Sequence, residues 1–173
     1  MNRPETNEFA PYYNNYVSLV TDGPIATVLE AQPGELSRLI SGLPDEKGTF
    51  AYAEGKWTIK ELLSHIIDGE RIFAYRVLRV SRGDKTPIEG FEQDEYIETS
   101  NANNRSFAEL LAEFGTLRKA NLLLVNNISD ESSQLMGTAS DNPVSARALV
   151  YIMAGHVRHH LNILNERYLP NEV

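Results

Sequence analysis

The run TIKELLSHIIDGERIFAYRVLRVSRG, residues 58–83, decides how the chain is read. It opens on Thr58-Ile-Lys-Glu61, a capping box in which each side chain satisfies an orphan backbone donor of the first turn. Leu62, Ile66, Phe73 and Val77 then recur at helical spacing, and Gly83 supplies a stop. The pattern predicts a helix from Thr58 to about Arg82.

Three more segments carry the same period. From about Pro24 to Leu43, one stripe holds Ile25, Val28, Leu29, Leu36, Leu39, Ile40 and Leu43. Pro33-Gly34 interrupts it, but the register carries across, so one kinked helix is expected rather than two. Ser106-Phe-Ala-Glu109 is a second capping box, followed by the stripe Phe107, Leu110, Leu111, Phe114, Leu117, Asn121, Leu122, Val125 and Ile128. The last helix begins near Ser145 and ends before Pro170. No segment shows a strand pattern. Four helices of about 20 residues, each apolar along one stripe, need one another to bury those stripes. The expected fold is an all-α four-helix bundle.

Loop lengths refine the expectation. The link over residues 83–105 is the longest, and its extended reach can recross a 25-residue helix of about 37 Å. The second and third helices could therefore run parallel, an up-down-down-up topology with a long crossover between helices 2 and 3. The second and fourth are then antiparallel. Residues 1–21 are polar and then aromatic (Tyr12, Tyr13, Tyr16, Val17, Val20). They are expected as an N-terminal arm packing on a bundle formed by residues 22–173.

Composition bounds the function. A chain of 173 residues, 42% hydrophobic and 23% charged, is one globular domain. The absence of Cys excludes disulfide scaffolds, cysteine metal sites and a cysteine nucleophile. A net charge of −8 with no basic patch argues against nucleic acid. No apolar run is long enough to span a bilayer, and the first residues lack the apolar core of a signal peptide. A cytoplasmic domain with a small-molecule substrate is the expectation.

The four histidines fall in two places: His65, and His156, His159 and His160. At 100° per residue, His156 and His160 lie within about 20° of the centre of the stripe Leu149, Ile152, Met153, Ile163, and His159 lies about 80° away. Two imidazoles one turn apart thus point inward where the pattern asks for leucine. They can hold a metal ion, or form a hydrogen-bonded core pair. With the second and fourth helices antiparallel, His65 falls at the same height. Three neutral imidazoles on a divalent ion leave coordination positions for water or substrate.

Other patterns fail. His156-Val-Arg-His-His160 lacks the glutamate of the metalloprotease motif, and there is no P-loop, serine elbow or dinucleotide glycine signature. Asp68 could orient an imidazole or simply face water. Arg76 and Arg79 could hold an anionic substrate or form a solvated face. Asn121 is either a satisfied core amide or a lining residue. The acidic loop Gly90–Tyr96 could form part of a mouth.

Lys56-Trp57-Thr58-Ile59-Lys60-Glu61-Leu62-Leu63-Ser64-His65 resembles the helix-two signature of the DinB-like superfamily, and Asp68-Gly-Glu70-Arg71, Tyr75-Arg76 and Pro87…Gly90-Phe91 continue it. Gly155-His156-Val157-Arg158-His159-His160 resembles its helix-four signature, and the likeness spans about Tyr12 to Leu169. The resemblance implies an up-down-down-up bundle, often a homodimer, with a divalent metal on three histidines. Carried over by position, the ligands are His65, His156 and His160. Neutral imidazoles suit zinc or nickel, and the residues themselves offer Asp68, Arg76, Asn121 and His159 as supporting or substrate-contacting candidates. Pro33-Gly34 departs from the family pattern and could reshape that wall of the site. Members of the family include S-transferases that use bacillithiol, mycothiol or glutathione, a glutathione-dependent isomerase, and proteins labelled metal-dependent hydrolases. Three functions follow: transfer of a low-molecular-weight thiol cosubstrate to an electrophile, hydrolysis by metal-activated water, or a non-enzymatic metal-binding stress-response module.

Overall fold

The structure, a computed structural model, describes residues 1–170; the last three residues of the expected 22–173 unit lie outside the described residues. In chain order the helices are α1 (Asn14–Val17), α2 (Ile25–Ile40), α3 (Ile59–Ser81), α4 (Gln93–Thr99), α5 (Phe107–Asn126), α6 (Asp130–Ser133) and α7 (Ala146–Ile163). The four long ones form a four-helix bundle. Both capping boxes close: Thr58 accepts from the Glu61 amide while Glu61 accepts from the Thr58 amide, and Ser106 and Glu109 do the same. Gly83, at φ 78°, ends α3 in the left-handed region that a side chain disfavours. Pro33 sits inside α2, which runs on past it to Ile40.

Packing does not follow sequence order. The α3 helix lies against α7 and α5, and α2 lies against α5 and α7. The pairs Gln32–Ala154 and Glu35–Arg158 advance together along α2 and α7. Glu70–Arg118 and Arg71–Glu113 join α3 to α5, and Asn103, just ahead of α5, bonds Thr58 and Glu61 at the start of α3. At that same end of the bundle, Tyr168 donates to the Trp57 carbonyl at 2.6 Å, so the end of the last helix meets the entrance to α3. That crossing brings the middle of α3 onto the middle of α7.

The expected absence of strands is corrected. Met136–Ala139 (β1) and Asn142–Ser145 (β2) pair antiparallel, from Met136 opposite Ser145 to Ala139 opposite Asn142. Ser140 and Asp141 turn between them with φ of 49° and 61°, the doubly positive geometry of a tight hairpin. Each strand has four residues, one holding Gly137 and the other Pro143, so period and propensity are both mute. Ile88 pairs with Ala139 and ties the crossover to the hairpin.

The first residues lie along α7. Arg3 donates to the carbonyls of Val17 and Val20, and Glu8 takes the Arg147 guanidinium and the Ser145 hydroxyl. At Gly155 a Cβ would overlap the Tyr16 carbonyl, so only glycine lets α1 come this close to α7.

Candidate metal centre

The three residues His65, His156 and His160 meet where α3 crosses α7. They are 4%, 4% and 7% exposed. Nε2 of His156 stands 2.9 Å from Nε2 of His65 and 3.1 Å from Nε2 of His160. One nitrogen from each ring lies within 4.8 Å of the others. Nitrogens bound at 2.0–2.1 Å to one ion stand about 3 Å apart, which is the spacing of His156 to each of the other two rings. Hydrogen bonding alone serves the trio poorly. Nε2 of a neutral imidazole either donates or accepts a single bond, so Nε2 of His156 cannot bond both of the ring nitrogens that face it. The donor set therefore fits a divalent cation.

The surroundings keep the rings neutral, which is the ligating form. Burial pushes His65 down to about 4, with Asp94 pulling the other way and His159 adding slightly. Burial also holds His156 and His160 well below the usual imidazole range; His160, His65 and His159 reinforce this at His156, and His65 and His159 at His160. The walls are aromatic: Trp57 lies 4.7 Å from His65, and Phe73 and Tyr16 lie 5.5 and 5.6 Å from His156, centroid to centroid. At Gly69 a Cβ would come within 2.7 Å of His156 Cε1, so this glycine makes room for the ring.

Two cavities reach the cluster. One of about 390 Å³ is lined by His65, His156, Tyr16, Phe73 and Arg76, the other of about 320 Å³ by His160, Trp57, Asp94 and Tyr168. Gln93 borders both, and Gly90, Phe91 and Glu92 border the first. The 90–96 stretch is thus part of the mouth, although the expected loop becomes the helix α4 from Gln93 onward.

The other residues singled out in the sequence divide. His159 is half-buried, set edge-on to Tyr16 at 5.4 Å and to His160 at 5.0 Å, outside the convergent trio. Asp68 faces Arg71 at 3.9 Å, where burial raises its carboxyl, rather than an imidazole. Asn121 donates to Glu70 Oε1 at 2.8 Å and is a satisfied amide. Arg76 is no solvated residue: it is 2% exposed and lines the cavity.

Sequence reasoning did not place Tyr16 or Trp57 at the site, and it missed a second buried polar cluster one residue from Gly69. Glu70 receives both Nε and Nη2 of Arg118 at 2.8 Å, while Arg118 Nη1 donates to Leu29 O and Gln32 Oε1. Gly155 beside His156 was the available signal for Tyr16, because a glycine in an apolar helix marks close backbone approach.

The pattern of the DinB superfamily matches residues 29–164. The chain is 25% identical over 138 residues to a protein of Geobacillus thermodenitrificans described as a candidate metal-dependent hydrolase, covering 79% of this chain and 77% of that one. A protein of Oceanobacillus iheyensis with the same description is 23% identical over 134 residues, 77% of each chain. Among solved structures the fold is similar to YfiT from Bacillus subtilis, described as a candidate metal-dependent hydrolase with an unusual four-helix bundle topology. The TM-score is 0.70 at 16% identity, over 89% of this chain and 97% of that one. It is also similar to a mycothiol-dependent maleylpyruvate isomerase, with TM-score 0.66 and 17% identity over 82% of this chain and 60% of that one.

Proposed function

The chain belongs to the DinB superfamily, and from that premise we propose that it is a metal-dependent enzyme that joins a small thiol cosubstrate to an electrophile. His65, His156 and His160 hold the divalent ion, zinc or nickel. The observation that carries this is the convergence of three buried Nε2 atoms around one point beside an open cavity. When bound, such an ion lowers the pKa of a thiol or a water that reaches it.

The chain's own residues do the rest. Trp57, Phe73 and Tyr16 exclude bulk water around the rings. Burial raises the Tyr16 phenol above its ordinary value, so it stays a hydrogen-bond donor at the cavity wall. The convergent group is all histidine, with no carboxylate among the described residues that join it. A water nucleophile needs a proton acceptor, whereas a thiol, with a free pKa near 8.5, ionises readily beside a cation. That favours thiol transfer.

A hydrolytic reading has its own support. Asp94 borders the His160 cavity and acts on His65 electrostatically, so it is the available base, and three similar proteins are described as metal-dependent hydrolases. A homodimer, a cytoplasmic location and no nucleic-acid partner accompany the proposal. Among the described residues no helix is long and apolar enough to cross a membrane.

Cobalt-substituted protein tests the choice. A low-molecular-weight thiol should add a sulfur-to-metal charge-transfer band, and turnover of a test electrophile should need both thiol and metal. Ester or amide cleavage that ignores thiol and falls in Asp94→Asn would favour the hydrolase instead.

A further inference from the structure

The molecule buries two arginines almost completely, Arg118 at 1% and Arg76 at 2% exposure. Arg118 has its counter-ion, the two oxygens of Glu70. Arg76 has none. Its Nη2 donates to two neutral oxygens, Glu89 O and Ser140 Oγ, each at 3.0 Å, and its buried Nε has no acceptor. The neighbouring arginines along α3 are already paired, Arg79 with Asp84 at 2.6 Å and Arg71 with Glu113. Glu89 and Glu92 border the adjoining cavities, yet neither carboxylate reaches ion-pair distance of Arg76 among the described residues. Taking a cation out of water without a partner costs several kcal/mol.

Arg76 also stands between two cavities. It lines the one that reaches His65 and His156, and a second of about 540 Å³ walled by Tyr75, Phe91, Tyr96 and Ile88. Gly90 and Phe91 are common to both, so the spaces adjoin. A molecule anchored on Arg76 can therefore keep its other end beside the imidazoles. Arg71 and Arg79 also border the second cavity but are paired, so the unpaired charge is single; with Tyr75, Phe91 and Tyr96 in the walls, this suits a singly charged, flat anion better than a doubly charged phosphate.

We propose that Arg76 is a specificity-determining residue that holds a carboxylate carried by the substrate or thiol cosubstrate, supplying the counter-ion the fold omits. The assignment rests on the cavity being the reaction chamber of the proposed enzyme, but it can fail separately.

Calorimetry on the full chain, with its metal and after metal removal by dialysis, should follow benzoate, phenyl phosphate and benzyl alcohol. Benzoate should bind in both states, and the neutral alcohol at least about tenfold more weakly. Arg76→Gln should weaken benzoate at least about tenfold in both states, Arg76→Lys less, and Arg79→Gln by no more than about twofold. If Arg76→Gln does not fold, the Nε–H resonance of Arg76 in the unaltered chain must shift with benzoate and stay still with benzyl alcohol. Equal binding of alcohol and benzoate would overturn the assignment, as would tighter phenyl phosphate or equal losses in Arg76→Gln and Arg79→Gln. A chain that binds no metal yet loses benzoate with Arg76 would refute the metal reading alone.

Discussion

The helix α3 carries two buried polar clusters a turn apart, and they are finished to different degrees. Glu70, Arg118, Gln32 and Asn121 form a closed set: each carboxylate oxygen accepts, the guanidinium is bidentate, and Gln32 Nε2 donates onward to Ala154 O at 2.7 Å. His65, His156 and His160 form an open set, with three ring nitrogens facing one another and Nδ1 of His160 unmatched. A buried polar group costs free energy unless it is satisfied. The closed cluster meets that condition within the chain and joins α2, α5 and α7 to α3. In the open one Nε2 of His156 can bond only one of the two nitrogens it faces, and a cation held between the three Nε2 atoms would satisfy them together. Completeness separates the structural cluster from the functional one.

The contrast breaks most visibly in stability. Glu70→Ala strands Arg118 in the core, and about 3–5 kcal/mol should be lost in urea unfolding. His156→Ala in the metal-free chain should lose only about 1–2 kcal/mol. A larger loss for the histidine would mean that the trio, too, is structural.

Metal content reverses the ranking. His65→Ala, His156→Ala and His160→Ala should each lose most of the bound ion by elemental analysis of protein without a histidine tag, while His159→Ala keeps it. Equal loss in all four would refute the assignment of His159 to the outside of the trio.

Gly69→Ala probes the boundary between the clusters. Its methyl would press on His156 Cε1, so metal affinity should fall by about 10–100-fold, the usual effect of disturbing the support of a ligand. The far-UV spectrum should not change. Unaltered affinity would show that the ring has room to shift.

Acid separates the site from the N-terminal contact with α7, with the smallest effects. Below pH 6.5 the unfolded chain takes up protons that the buried imidazoles refuse. Stability of the metal-free chain is therefore complete above 6.5 and declines as pH falls toward about 4, the His65 value. Glu8, hydrogen-bonded by Arg147 against an opposing effect of burial, has its carboxyl held down to about 2 from 4.5. Its contribution is full above 4.5 and disappears as pH falls through 2. Urea midpoints against pH should show the first decline shallower in His65→Gln and the second absent in Glu8→Gln.

How much of this could be read in advance depends on how local each feature is. The two capping boxes depend on side chains three residues apart, so both ends were legible at Thr58 and Ser106. The inward direction of His156 and His160 followed from helical angle alone. The hairpin at 136–145 was illegible because four-residue strands containing Gly137 and Pro143 carry no period. The spacing of Asp68 from His65 left it open between an imidazole and water; Arg71, itself bound by the α5 carboxylate Glu113, claims that side of the helix.

By itself the sequence determined the four long helices, their apolar faces and the inward direction of His156 and His160, because each depends on spacing within one segment; the height of His65 beside them depended on how two helices run. Only the tertiary structure decided that Arg118 has a carboxylate and Arg76 has none, since Glu70, Gln32, Glu89 and Ser140 reach them from other elements. It also decided that Tyr16 lies against His156 across 140 residues of chain. Such contacts are fixed by which helix lies beside which. In this bundle that order is not the order of the chain.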